Sequence, residues 1–323
     1  MRRREFVALM GASVTWPFGA MAQEPGRTYR LGAVTSSPRN APHFEAMINE
    51  LRRFDFIEGQ NLTIDWRSYG PRIDLIPQFV ADLINAHVDV IHVNGDLATR
   101  AAQRATTTIP ILAGAEDMVG SGLVNSLARP GGNTTGMSIL ATELDGKRQE
   151  ILIEAVPRLR RIAALADSSV TTDKKLHPLM EEARARNIEL SIYWITRGEE
   201  IGATIDAAKA SGIAALNVLS SPLLYGNRQL IMQRAAALGM PAIYQFPEEA
   251  EEGGFAAYGP RLVQIFREQM APQLVKLLRG TKVADIPVEQ PTKFELVINL
   301  KTANTLRVMV PATLVARADK VIE

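Results

Sequence analysis

The 323-residue sequence contains no cysteine, so neither disulfides nor thiolate metal sites are open to it. Histidine is scarce too: His43, His87, His92 and His177 are scattered, without metal-ligand spacing. His92 sits inside an apolar run and reads as a core residue rather than a ligand. A nucleophile elbow, a P-loop, a dinucleotide fingerprint after the first strand and a zinc-protease motif are all missing. The paired carboxylates Glu248-Glu249 and Glu251-Glu252 fall on a short polar stretch before Gly253-Gly254 and read as a solvated helix face. No enzyme is expected, and no metal or cofactor. Neither sign of charge dominates: the formal net charge is +1, which argues against a nucleic-acid surface, since that needs a clustered basic face. Beyond the first 22 residues there is no long apolar run, so the 46% of hydrophobic residues belongs to a globular core.

What is present begins with an address. Arg3-Arg4-Glu5-Phe6-Val7 fits the twin-arginine leader pattern. An apolar stretch from Val7 to Met21, interrupted by Gly11, Pro17 and Gly19, is short for a membrane span. Ala20-Met21-Ala22 then offers the small-x-small site that a signal peptidase needs. Residues 1–22 are therefore expected to be a signal peptide, leaving a periplasmic chain that starts near Gln23. Without disulfides, such a chain must be held by core burial, and it is long enough for two domains.

After the leader, short β-rich runs alternate with amphipathic stretches. Tyr29–Thr35 reads as a strand, and Pro42–Phe54 as a helix with Phe44, Met47, Ile48 and Leu51 on one face. Val88–Val93 is nearly all apolar, as strands buried on both faces of a parallel sheet are. Gly122–Ala128 is expected to form a short helix and Val263–Leu278 a long one. A second run of the same alternation starts near Glu143. The fold class is therefore α/β: two doubly wound parallel-sheet lobes with a central ligand cleft, where the carboxyl ends of their strands face each other.

That rule names the candidate site directly. The first lobe offers Thr35, Ser36, Ser37, Tyr69, Asn94, Gly95, Asp96, Glu116, Asp117 and Ser138. The second offers Asp167, Ser168, Ser220, Ser221, Tyr244 and Tyr258. Ser36-Ser37-Pro38 and Ser220-Ser221-Pro222 put hydroxyls and backbone N–H groups at helix starts, where a carboxylate can bind without a basic side chain; the same pattern also signals plain capping. Asp96 and Asp117 suit an ammonium group or a helix cap. Tyr69, Tyr244 and Tyr258 suit the walls of a flat apolar ligand or simple packing.

The stretch Gly122-Leu123-Val124-Asn125-Ser126-Leu127-Ala128-Arg129-Pro130-Gly131-Gly132-Asn133-Thr134-Thr135-Gly136 resembles a segment of the ABC-transporter substrate-binding family that includes the tryptophan/tyrosine-type importer proteins. Residues 285–303, with Pro287-Val288-Glu289-Gln290-Pro291 and Phe294-Glu295-Leu296, resemble that family's carboxyl-terminal signature, and Pro311–Asp319 continues it. Gly253–Pro260 is similar as well. The resemblance implies a type I periplasmic-binding fold, in which a three-crossover hinge joins lobes that close on a small solute and deliver it to an inner-membrane ABC permease. On that basis lobe I is expected at 29–141 plus 255–300, and lobe II at 142–254 plus 301–323. Hinges are expected near Ala141–Glu143, Gly253–Phe255 and Leu300–Thr302. The solute is expected to be a small carboxylate, an amino acid or aromatic acid, and the protein a monomer. A periplasmic sensor component presenting solute to a membrane receptor is the alternative. Two departures fall on expected cleft positions: the family often has Gly-Thr at Gly95-Asp96 and Asp-Pro at Asp117-Met118.

Overall fold

A computed structural model describes residues 26–323 apart from Pro71 and Leu140. The leader read at residues 1–22, with its cut after Ala22, lies outside the described residues. Strands β1 (Tyr29–Thr35), β2 (Leu62–Ser68), β3 (Val90–Asn94), β4 (Ile111–Ala115) and β5 (Thr134–Ser138) form one parallel sheet in the order β2-β1-β3-β4-β5. Helices α1 (Pro42–Arg53), α2 (Ile76–Asn85) and α3 (Asp96–Ala105) connect its strands. The α1 face formed by Phe44, Met47, Ile48 and Leu51 is buried, as its spacing requires. β3 carries Val90, Ile91 and Val93 fully buried between helices on both faces.

The second sheet has seven strands in the order β12-β11-β10-β9-β8-β6-β7. They are β6 (Arg161–Asp167), β7 (Glu189–Ile195), β8 (Ala215–Val218), β9 (Ala242–Tyr244), β10 (Ala256–Gly259), β11 (Glu295–Asn299) and β12 (Lys320–Ile322). Helices α4 (Ala141–Ala155), α5 (Asp173–Ala185), α6 (Ile201–Ala210), α7 (Pro222–Gly226), α8 (Arg228–Ala237) and α9 (Pro247–Glu251) lie between them. Five strands, β7-β6-β8-β9-β10, repeat the order of the first sheet. The pairing of β10 with β11 is antiparallel. Both lobes therefore reverse strand order beside their first strand, the place where open α/β sheets build ligand crevices.

The structure divides the segment 255–300 differently from the sequence expectation. β10 and β11 pair into the second sheet. Only the part between them belongs to the first lobe. There α10 (Leu262–Gln264), a π-helical stretch (Ile265–Met270) and α11 (Ala271–Leu278) run on without a break and pack on α1. Residues 286–289 then run beside β5: Thr135 Oγ1 donates to the Ile286 carbonyl at 2.7 Å, and the Ser138 and Glu289 amides bond across at 2.9 and 2.8 Å. The chain thus crosses between lobes after β5, between β10 and α10, and between residues 290 and 295, not near Gly253–Phe255 or Leu300–Thr302. Gly253–Phe255 follows α9 within the second lobe, and Leu300 opens α12 (Leu300–Thr305), also in that lobe, ahead of α13 (Ala312–Val315).

The expected helix at Gly122–Ala128 is absent. Gly122 adopts φ +66, and the segment folds as turns held by Leu123 N to Met118 O and Asn125 N to Pro130 O, each within 2.9 Å. Arg100 and Gln103 of α3 donate to the carbonyls of Ser121 and Leu123, doing from outside what a helix would have done internally. Gly136 admits no side chain: a Cβ would sit 1.9 Å from the Ala113 carbonyl oxygen.

Candidate functional site

The two sets of strand ends enclose a cavity with about 80 Å³ open to the centres of water molecules. From lobe I come Ser36 and Ser37 after β1, Asn94 and Gly95 after β3, Gly114–Glu116 at the end of β4, and Met137 and Ile139 of the β5 strand end. His43 of α1 and Leu262, Ile265, Phe266 and Met270 of the α10–π segment add an apolar side. Lobe II covers this with Ser221, Pro222 and Tyr225 of the β8–α7 turn and Gln245 and Phe246 after β9. The lobes are shut on each other here. A Cβ on Gly95, whose φ is +86, would lie 2.6 Å from the Pro222 ring across the cleft.

The apolar side is aromatic. Phe266 meets Phe44 edge-on at 5.1 Å and lies 4.8 Å from the His43 ring, while Tyr225 meets Phe246 edge-on at 5.3 Å. His43 and Tyr225 approach to 6.2 Å from opposite lobes. Burial first, then the Arg228 charge and His92, lower the His43 pKa to about 3, so its imidazole is neutral at any physiological pH. Burial likewise holds the Tyr225 phenol protonated.

The polar side is built mainly by lobe I. Among the described residues, the amides of Ser36 and Ser37 donate to no protein acceptor, while Thr35 Oγ1 donates to the Ser37 carbonyl at 2.8 Å and fixes the turn. Glu116 is 4% exposed and Asp96, the first residue of α3, 8% exposed. Glu116 Oε2 and Asp96 Oδ1 are both buried without a hydrogen-bond donor. Burial, then the Asp96 charge, push the Glu116 carboxyl well above the usual carboxylate range.

Lobe II reaches the cleft with most of its polar side chains bonded within the lobe, although Arg148 Nε and Glu249 Oε1 are buried without a partner among the described residues. Arg148 of α4, 1% exposed, donates to Asp145 Oδ1 at 2.5 Å, Ser220 Oγ at 2.6 Å and the Tyr258 carbonyl at 2.9 Å. Ser221 Oγ donates to Asp167 Oδ2 at 2.6 Å and accepts from the Leu224 amide, so it caps α7. Asp167 Oδ1 takes the Ser169 amide and hydroxyl. Glu249, read from sequence as solvated, is fully buried: its carboxyl accepts from the Phe246 amide at 2.8 Å and fixes the turn that aims Phe246. Burial raises its pKa to about 8.

Of the residues named from sequence, the cavity brings together Ser36, Ser37, Asn94, Gly95, Glu116 and Ser221. Tyr69, Asp96 and Asp167 line a smaller adjoining recess between the lobes. Asp117 Oδ1 accepts from the Gly120 amide in a turn, and Ser138 Oγ accepts from Met118. Ser168 is outside, bonded to Thr196. The three tyrosines do not converge. Tyr244 is sealed in the second core and Tyr258 pairs with Phe294 at 6.3 Å, because β9 and β10 turn those side chains away from the opening. The aromatic residues that do line it, Tyr225, Phe246 and Phe266, lie just past a strand end or on a helix. For Gln245 and Phe246 the strand-end rule was a sufficient signal; for Phe266 no local signal existed. His92 is a core residue, its Nδ1 bonded to the Leu112 carbonyl at 3.0 Å, with Nε2 unpartnered. Among the described residues, no group of three or more His, Asp or Glu side chains is placed to hold a metal, and no helix is long and apolar enough to cross a membrane.

A family profile shows which family the chain belongs to, and relatives and solved structures share its fold. The profile described as ABC transporter substrate binding protein matches residues 35–322. A tyrosine-binding protein of Clostridioides difficile is 24% identical over 81% of this chain and 75% of its own. A conserved domain protein of Vibrio cholerae superposes with a TM-score of 0.82 at 22% identity, over 91% of this chain and 100% of that one. An ABC domain from Streptococcus pneumoniae in complex with L-Trp superposes with a TM-score of 0.79 at 21% identity, over the same 91% and 100%. The chain belongs to the ABC transporter substrate-binding protein family.

Proposed function

From that membership we propose that the protein is the solute receptor of an ABC importer, working in the periplasm after removal of its leader, and that its solute is a small amino acid with an aromatic or large apolar side chain. One observation carries the reading: both lobes close on a cavity with an aromatic side and a polar side. Phe266, Tyr225 and Phe246 would take the body of the solute, and the free amides of Ser36 and Ser37 its carboxylate. The tyrosine-binding relative and the L-Trp complex support the choice of solute class.

Closure follows from differential affinity. Solute first contacts the lobe I pole; contacts to Tyr225 and Phe246 exist only when the lobes meet, so bound solute favours the shut state that a permease would recognise. The test is a thermal-shift screen of amino acids, aromatic acids and dicarboxylates. A ligand present at one hundred times its Kd should stabilise the fold by about 2.7 kcal/mol. If the whole panel leaves the melting midpoint where it was, the receptor reading fails. Uptake of the bound solute, dependent on the cognate permease and ATPase, then tests import.

A further inference from the structure

We infer that Glu116, backed by Asp96, fixes the charge of the solute: the cleft takes a molecule whose cationic nitrogen, a primary ammonium above all, sits against these two carboxyls. The inference rests on the amino-acid reading above and deepens it, by assigning the residues that select for the amino group.

Glu116 lines the cavity and is 4% exposed, yet its Oε2 meets no donor among the described residues. Asp96 Oδ1, beside it, is equally without one. An unpaired buried carboxyl oxygen is costly, and two together more so. The helix start does not account for them: α3 is capped by Gly95 without a side-chain bond from Asp96. Nor does a protein cation. Lys175, in the first turn of α5, is near enough to be felt by Glu116, but its Nζ donates to the Val170 carbonyl at 2.9 Å. His43, on the same cavity, is neutral. Across the cleft Asp167 is satisfied by Ser221 and Ser169 and offers no donor to the pair. Burial and the Asp96 charge both disfavour the ionised form of Glu116, and a cation held against it would offset both. A dicarboxylate or a deaminated aromatic acid would bring only acceptors to a place that already has two too many.

The experiment uses the purified protein with matched probes: L-phenylalanine, L-tyrosine and L-tryptophan against phenylpropionate, hydroxyphenylpropionate and indolepropionate, with benzylammonium as a bare cation. Kd by calorimetry and melting midpoint are read for the wild type, Glu116→Gln and Asp96→Asn. The amino acids are expected to bind roughly thirtyfold or more tightly than their deaminated partners, because removing one partner of a buried charge pair has losses of that size. Glu116→Gln should erase this preference, weakening the amino acids while leaving the acids unchanged or tighter; Asp96→Asn should do so in smaller measure. Equal binding of amino acids and deaminated acids, or a preference that survives in Glu116→Gln, overturns the inference and leaves the receptor reading standing. A shift with benzylammonium alone supports the inference and removes the aromatic amino-acid reading. No shift with any probe removes both. Should Glu116→Gln fail to fold, the wild-type probe pairs and Asp96→Asn decide the matter.

Discussion

The two lobes share a strand order but prepare their cleft faces in opposite ways. Lobe I leaves groups unpaired at its strand ends: the amides of Ser36 and Ser37 and the inner oxygens of Glu116 and Asp96. Lobe II spends its polar groups on itself, through Arg148 with Asp145 and Ser220, Asp167 with Ser169 and Ser221, and Glu249 with Phe246. It offers the cleft mainly ring surface and the Pro222 edge. Two copies of one topology have thus become a reader and a cover. On the proposed function a solute would complete the hydrogen bonds of the reader, whereas the side chains that the cover brings to the cleft are held mainly by partners within their own lobe, with Arg148 Nε and Glu249 Oε1 left over behind them.

The sharpest way to break this contrast is Arg148→Ala. It leaves the buried Asp145 carboxylate without its cation, with only the Ser220 amide and hydroxyl as donors, and frees the Tyr258 carbonyl, at an expected cost of about 3–5 kcal/mol. Urea unfolding measures it, and a loss below about 1 kcal/mol would mean that the cover is not held together from within. Glu249→Gln probes the same lobe with the opposite sign. The Glu249 carboxyl titrates near 8 when folded, against an ordinary value of 4.5, so the unfolded chain loses its proton first as pH rises. The wild type should therefore lose stability between about pH 4.5 and 8 and level off above. The Gln variant keeps an acceptor for the Phe246 amide without that penalty; its advantage should be near zero below pH 4, grow across the window, and reach roughly 2–5 kcal/mol. Denaturation midpoints in parallel pH series decide it.

Gly95→Ala tests how tightly the cover must seat. The added Cβ meets Pro222 and requires a left-handed backbone, so the shut state should lose about 1–3 kcal/mol. Small-angle scattering with saturating solute should show the variant more open than the wild type. The smallest effect belongs to Ser36→Ala, with affinity within about threefold of wild type, because the Ser36 amide rather than its hydroxyl is the free donor. A loss of tenfold or more would move the carboxylate contact to the side chain.

Much of this architecture was legible before any coordinates. The nearly apolar run Val88–Val93 reads as a doubly covered strand, found at Val90–Asn94, and the 44-47-48-51 spacing fixes the buried face of α1. Strand ends then located Ser36, Asn94, Glu116 and Ser221 at the opening. What failed depended on partners far along the chain. Nothing within Ala256–Gly259 says which sheet will accept it, so the second and third crossovers lie several residues from their expected places, while the first is beside Ala141 as expected. Tyr244 and Phe246 differ by two positions, yet one is the last strand residue, turned into the second core, and the other lies past the strand end, where its turn decides its direction. Phe266 could reach the cleft only because the chain returns to lobe I between β10 and β11.

That return also sets a timetable for synthesis. The first sheet and α1 leave the ribosome early, yet the apolar surface they share, with Phe44, Met47 and Leu51, is covered by Phe266, Leu274 and Val275 from a segment made some two hundred residues later. Until Leu278 has emerged, that flank of lobe I lacks its cover, and transiently exposed apolar surface of this kind is prone to aggregate. Lobe I is therefore finished only after most of lobe II has been made, so the two lobes cannot fold strictly one after the other.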